Sequence, residues 1–208
     1  MGTLAELKAR IATDLTRDDL ATQIASAVTD AIAFYARDRF WFNTSRSLTF
    51  STVASQVAYS SSDLSSIPKL VRIDALFTPS GTALIPCNRM EPGDFDMAWG
   101  SGTSTGRPYT FTYVDQTIRL GPTPDAVYSM RLHAHYKLAT ASDSDTNAWT
   151  DDAEELIRTH AKMLLYLDVL GDDQAAARMQ SKLPILLAAL RAESSARLST
   201  GRIHGTEF

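Results

Sequence analysis

His133 and His135 stand two residues apart in a stretch that alternates like a strand, so both project to one face, a usable geometry for two metal ligands. Arg131 and Lys137 share that face and would repel a divalent cation, and no acidic or sulfur ligand lies close in sequence. The pair therefore reads as solvated or partner-facing sheet surface. His160, beside the apolar stripe of a later helix, reads as a hydrogen-bonded, partly buried histidine. Asp143, Asp145, Asp151, Asp152, Glu154 and Glu155 form an acidic cluster with no base among them. A calcium loop needs ligands at fixed alternating positions and a turn glycine, and neither is present. A carboxylate pair for glycosidic cleavage depends on spatial separation and stays open, while helix N-terminal charge and solvation account for the cluster more simply.

Gly100 to Gly106 holds three glycines among serine and threonine, but it precedes a strand, does not open a helix, and lacks the G-x-G-x-x-G spacing. The Walker pattern does not occur. Asn43-Thr44-Ser45 matches a glycosylation acceptor without a secretion signal to give it meaning. The aromatic run Phe34, Tyr35, Phe40, Trp41 and Phe42, interleaved with Arg37 and Arg39, reads first as core packing at a helix end. Part of it could serve a subunit interface, and stacking on single-stranded nucleic acid is the weaker alternative. Near the C-terminus, Arg191, Arg197 and Arg202 face only Glu193, with Leu198, Ile203 and Phe208 spaced by small polar residues. That pattern fits either a docking peptide that orders on a partner or a frayed end. No cofactor is expected.

The elements that position these residues follow from periodicity. Leu4, Leu7 and Ile11 predict a first helix, and Leu20 through Tyr35 a second over about Asp18–Asp38, with Thr16 to Asp19 as cap and dipole-matching acids. From Ser47 the pattern becomes β. Leu48–Phe50 and Gln56–Tyr59 are short strands. Val71, Ile73, Ala75 and Phe77 form the inner face of a strand that turns at Pro79-Ser80-Gly81 into Ala83–Ile85. Glu91 to Trp99 predicts a short helix, interrupted early by Pro92-Gly93. Tyr109–Val114 and Thr117–Leu120 predict a hairpin about Asp115-Gln116, followed by the strand Tyr128–Tyr136. Thr150 should cap a helix carrying Leu156, Ile157, Ala161, Leu164, Leu165 and Leu167, ended by Gly171. A last helix begins at Asp172 or Asp173, runs to about Leu198, and carries Pro184 as a kink.

The fold class is thus α+β: a helical core of about four helices, an inserted β-rich region of antiparallel hairpins, and an extended C-terminal tail. The expected division is 1–46 with 148–198 as helical core, 47–147 as insertion and 199–208 as tail. With 208 residues, 44% hydrophobic and 21% charged, the chain is long and apolar enough to bury a core. A net charge of −4 does not favour nucleic acid through the whole-molecule field. The single cysteine, Cys87, can form no internal disulfide. No apolar run approaches the roughly 20 residues of a membrane span and no signal peptide pattern opens the chain, so it reads as soluble and unexported.

Several stretches in order carry a family likeness: the opening Met1 to Ile11; Thr16-Arg17-Asp18-Asp19-Leu20; Phe34-Tyr35-Ala36-Arg37-Asp38-Arg39-Phe40-Trp41-Phe42-Asn43; Gly106-Arg107-Pro108; Ile118 to Asp125; Thr146-Asn147-Ala148-Trp149-Thr150; and Asp152 to Arg158. Together they resemble the phage adaptor proteins (head–tail connectors, or head-completion proteins) of short-tailed phages and related prophages. The resemblance covers nearly the whole chain. It implies a structural virion protein of the head–tail junction, made in the host cytoplasm, that forms a homo-oligomeric ring, a dodecamer, under the portal protein. It further implies tail or nozzle proteins on the other face, DNA passing through the channel without sequence-specific binding, and no catalytic residue. The C-terminal segment is implied to engage the portal, with Arg191, Arg197, Leu198, Arg202, Ile203 and Phe208 as candidate contacts. Asp151, Asp152, Glu154, Glu155, Arg37 and Arg39 are candidate subunit-interface residues, the acids of one copy meeting basic groups of the next. Rival readings are a peptidoglycan-degrading enzyme using Glu154 or Glu155, and a DNA-packaging accessory.

Overall fold

Leucine and isoleucine three and four residues apart wind the first segment into a helix, and a computed structural model describing residues 2–64 and 66–198 shows how it is held. Helix α1 (Leu4–Leu15) is opened by a capping box: the Thr3 hydroxyl accepts from the Glu6 amide, and the Glu6 carboxylate accepts from the Thr3 amide. Leu4, Leu7, Ile11 and Leu15 are buried. Thr16, expected to start the second helix, instead closes the first in a left-handed conformation (φ 51°). Helix α2 (Ala21–Tyr35) is shorter than the sequence suggested at both ends, and its N-cap residue Leu20 supplies no side-chain cap. The reason is local competition: Arg17 takes both oxygens of Asp19 at 2.7 Å, so the acid pairs outside the helix. The α2 stripe of Ile24, Ala27, Val28, Ala31, Ile32 and Tyr35 is buried as expected.

The two later helices complete this unit, which comprises Met1–Phe42 and Ala139–Phe208. Thr150 does not cap a helix beginning at Asp151. Its hydroxyl accepts from the Asn147 amide and donates to the Asn147 carbonyl, closing a turn, and α4 spans Glu154–Leu164. The helix then widens into a π-helical segment, Leu165–Leu170, which ends at left-handed Gly171 (φ 64°) as anticipated. The wider turn departs from the 3.6-residue period, so Leu165 is buried while Leu167 is 51% exposed, against the stripe drawn from sequence. Asp172 accepts from the Ala175 amide and opens the long α5 (Asp173–Leu198), which contains Pro184. Helices α2 and α5 both pack on α4, and α1 packs on α2 and α4.

The second unit, Asn43–Leu138, is built on strands. A 3-10 turn over Trp41–Asn43 leads into β1 (Thr44–Ser51), followed by β2 (Ala58–Tyr59), β3 (Leu70–Ser80), β4 (Ala83–Pro86) and β5 (Asn88–Arg89). After the short helix α3 (Pro92–Trp99) come β6 (Thr105–Gly106), β7 (Thr110–Val114), β8 (Thr117–Gly121), β9 (Thr123–Pro124) and β10 (Ser129–Tyr136). Pro92 begins α3 and does not break it, because the first helical position needs no amide donor. One sheet has the order β1-β10-β3-β4, all antiparallel, and a second β2-β8-β7-β5. The two expected hairpins, β3–β4 and β7–β8, are present, the latter turning on Asp115 and Gln116, both at positive φ. Two pairings of two residues, β5–β7 and β6–β9, are parallel. Phe50, Tyr59, Ile73, Leu76, Phe111, Ile118, Leu120, Met130 and Leu132 lead the core.

Strand β3 corrects the predicted inner face. Leu70, Ile73, Leu76 and Thr78 are buried, whereas Val71 is exposed and Ala75 and Phe77 are only half-buried. The pairing with β10 explains it: Tyr136 opposes Leu70 and His135 opposes Arg72, so Val71 is an extra residue; Ala134 opposes Ile73 and His133 opposes Ala75, so Asp74 is another. Each β-bulge reverses the in–out alternation once.

Candidate functional site

The acids that clustered in sequence are spent differently from one another. Glu154 stands in the first turn of α4, and both its oxygens accept from Arg10 Nη1 at 2.7 and 2.8 Å, tying α4 to α1. Asp143 receives Lys8 at 2.6 Å, while the carbonyls of Asp143 and Asp145 accept from the free amides of Ala5 and Leu4. The connector before Trp149 thus satisfies two orphan donors at the N-terminus of α1. Lys162 completes the lacing on Asp14 at 2.8 Å. Asp151, Asp152 and Glu155 remain exposed. The Asp152 carboxyl is raised above its ordinary value by partial burial and by the charge of Asp151, with Arg197 pulling the other way. Asp152, Glu155 and Glu193 line a shallow hollow with Leu156, Leu186 and Leu190. Within one copy, then, the acidic stretch and Arg197 already interact.

The basic candidates near the end of α5 are held by their own chain. Arg191 Nη2 reaches both oxygens of Asp38 at 3.1 Å. The Arg197 guanidinium lies 4.2 Å from the centroid of the Trp41 ring and also pairs with Glu193 one turn back. Leu198 is partly buried. Arg202, Ile203 and Phe208 lie outside the described residues. Arg37 and Arg39 are exposed at the end of α2. Between α2 and α5 runs an open groove of about 630 Å³ lined by Asp30, Ala33, Phe34, Arg37, Leu187 and Arg191, with Asp38 at its edge.

Of the aromatic run, Tyr35 and Phe40 are core residues, as predicted, but Phe34 is 66% exposed. Phe34 falls on the outer side of α2, where its ring meets His160 and Tyr35 edge-on at 5.0 Å. Sequence reading did not single out Trp149 for the core, yet it is fully buried, with Phe40 and Phe42 packed edge-on against it. Its signal was only a lone tryptophan after a turn-forming asparagine, whose Oδ1 accepts the Trp149 amide.

The histidines correct two expectations. His160 is 6% exposed, and its Nδ1 has no hydrogen-bond partner among the described residues, where a bonded ring was predicted; burial lowers its pKa. His135 is 4% exposed and not on the solvated face: it and Ala134 are both buried, so β10 does not keep strict alternation there. The His133 ring lies tilted against Phe77 with centroids 4.8 Å apart, and its pKa is lowered first by burial and then by the charges of Arg131 and Arg46. Among the described residues no three histidine, cysteine or acidic side chains gather to hold a metal ion. The glycine loop ends in structure: Thr105–Gly106 pairs with Thr123–Pro124, and the Ser104 carbonyl accepts the Thr123 amide. Cys87 is buried, and burial pushes its thiol up to about 11.

Residues 2–203 match the SU10 adaptor protein family. The chain belongs to that family. Membership makes it a phage structural protein, a virion component of the head–tail region that associates with other virion proteins. No curated protein matches it. The α+β architecture, with helices at both ends of the chain and antiparallel sheets between, agrees with the adaptor reading of the sequence. Among the described residues no helix is long and apolar enough to cross a membrane.

Proposed function

We propose that this member of the SU10 adaptor family is a non-catalytic ring subunit, seated as one of twelve copies beneath the portal. In this reading the ring receives tail or nozzle proteins on its far face, and DNA passes through its channel without sequence-specific contact. The helical unit forms the ring wall in this reading. The observation that carries the ring is the surface of α5. Of its 26 residues only Ala176, Leu190 and Ser194 are buried, while Ile185 is 70% exposed and Leu183, Leu186 and Leu187 are half-covered. A run of aliphatic side chains so lightly covered on one chain is the composition of a helix that packs against another subunit.

The charges offer a second layer. Exposed Asp151, Asp152 and Glu155 on one side of a copy face solvent, as do Arg37 and Arg39 elsewhere on the helical unit, a division suited to a head-to-tail contact repeated around a ring. Glu154 is the least available of the candidates, since Arg10 holds both its oxygens. That engagement also gives Glu154 a structural job in place of the acid–base role that a cell-wall hydrolase would ask of it. The segment after Leu198, with Arg202, Ile203 and Phe208, is assigned to the portal, and Arg191 and Arg197 anchor the helix from which it departs. Electron microscopy of the protein mixed with its portal tests the proposal directly. Rings stacked on the portal are expected, and Ile185→Asp should abolish them while leaving the free protein folded. If no ring forms with the portal present, or if removal of 199–208 leaves portal binding unchanged, the corresponding assignment is wrong.

A further inference from the structure

Arg178, Lys182 and Ile185 stand four and three residues apart on α5, so they share one face of the helix. At 3.6 residues per turn that face lies opposite Ala176, Leu190 and Ser194, the residues that α5 buries. Ile185 is 70% exposed, and neither cation makes an ion pair or a side-chain hydrogen bond with any described residue. Ala189 and Ala192, exposed on the same side, carry nothing that would hold a second surface away. Elsewhere in the helical unit a surface of the opposite character is found. Ser26, Ala27 and Asp30 of α2, with Leu164, Asp168 and Val169 at the end of α4 and in its π-helical segment, enclose an open pocket of about 260 Å³. Leu164 and Ala27 give it an apolar lining, and Val169 is 41% exposed at its rim. Its two acids are uncommitted as well: Asp168 pairs with no described residue, and Asp30 has only Ser26 at 3.5 Å. By contrast Asp14, Asp143 and Glu154 hold Lys162, Lys8 and Arg10 within the chain.

We infer that Ile185 of one copy seats in this pocket of a second copy, with Arg178 and Lys182 meeting the Asp30 and Asp168 of that copy. The contact rests on the ring subunit proposed above and names the surface that receives α5. Charge selects the occupant: two unpaired cations flank the exposed aliphatic side chain, and two unpaired or nearly unpaired carboxylates flank the apolar pocket. Affinity comes from the knob, since removing Ile185 and the pocket lining from water is the larger gain. Exposed ion pairs add little energy, but they fix which surfaces meet and in what register. The knob faces away from the residues that α5 buries in its own copy, so it is free to enter another. Knob and pocket are different surfaces, and each copy therefore gives one and receives one. Such a head-to-tail contact closes into a ring by repeated rotation, where α5 meeting α5 about a two-fold axis would stop at a dimer.

Full-length protein mixed with its portal tests the contact. In a Cys87→Ala background, Ser26→Cys at the pocket and Ala189→Cys beside Ile185 are placed on separate chains with tags of different length, then mixed, assembled and oxidised. The expected product is a disulfide between the two variants, at least about tenfold more abundant than either variant bonded to itself, because the seated contact raises the local concentration of that pair alone. In a separate arm, Asp30→Lys with Asp168→Lys should lower the yield of rings about tenfold, and Arg178→Glu with Lys182→Glu added to the same chain should restore it. Self-bonding of the Ala189→Cys variant as the main product would mean a two-fold α5 contact and overturns the inference, as does a charge swap without rescue. Rings that assemble on the portal without the mixed disulfide overturn this contact and leave the ring standing. Absence of rings from the unaltered protein overturns both.

Discussion

Replacing His160 by leucine should remove most of the acid sensitivity of the helical unit. The ring is buried against Phe34 and Tyr35, its Nδ1 has no partner among the described residues, and burial alone lowers its pKa from the ordinary 6.5. The native state therefore keeps the imidazole neutral while the unfolded chain binds a proton below 6.5. Stability contributed by that difference is fully present above the unfolded value and is lost as pH falls through it toward the lowered folded value. One proton taken up on unfolding gives a slope of at most about 1.4 kcal/mol per pH unit in that window. Leucine binds no proton, keeps an apolar body against the two rings, and should flatten the curve by up to that slope. Urea denaturation of both proteins from about pH 7.5 to about pH 5.5 reads it. His133, whose pKa is also lowered, is common to both proteins and cancels in the difference. Parallel curves for the two proteins, with no widening gap below 6.5, would refute the buried-neutral assignment.

Trp149→Ala should cost about 3–5 kcal/mol, since it removes the fully buried ring that Phe40 and Phe42 pack against; calorimetry would show the loss as a lower Tm. Gly121→Ala would put a methyl group 2.6 Å from Trp99 Cδ1 and 2.8 Å from Thr110 Oγ1, so about 1–3 kcal/mol of stability should be lost together with a change in Trp99 emission. With its thiol pushed from 9.0 to about 11, Cys87 should react with a disulfide reagent near pH 8 about a hundredfold more slowly in the native protein than after denaturation. Equal rates would mean that the β unit opens far more readily than its packing implies.

Much of this architecture was legible in one dimension. Stripes at helical spacing located α1, α2 and α4, and Gly171 marked its helix end because only a left-handed residue closes the turn there. Asp115-Gln116 and Gly81 marked the hairpins for the same local reason. Such features depend on residues within a turn or two of one another, and the ordered words of the family likeness are of the same kind. What only the tertiary structure decided depends on partners far away in the chain. The bulges at Val71 and Asp74 arise from pairing with β10, and they redirected the face of β3. Arg10 found Glu154, Lys8 found Asp143, and Arg191 found Asp38, so charges that looked available in sequence proved committed. Side-chain pairing across more than a hundred residues leaves no periodic trace, because any acid on a helix start and any base on an exposed face would read the same until the chain folds. The groove in which Arg37 has no partner among the described residues exists only because α2 and α5 both pack on α4.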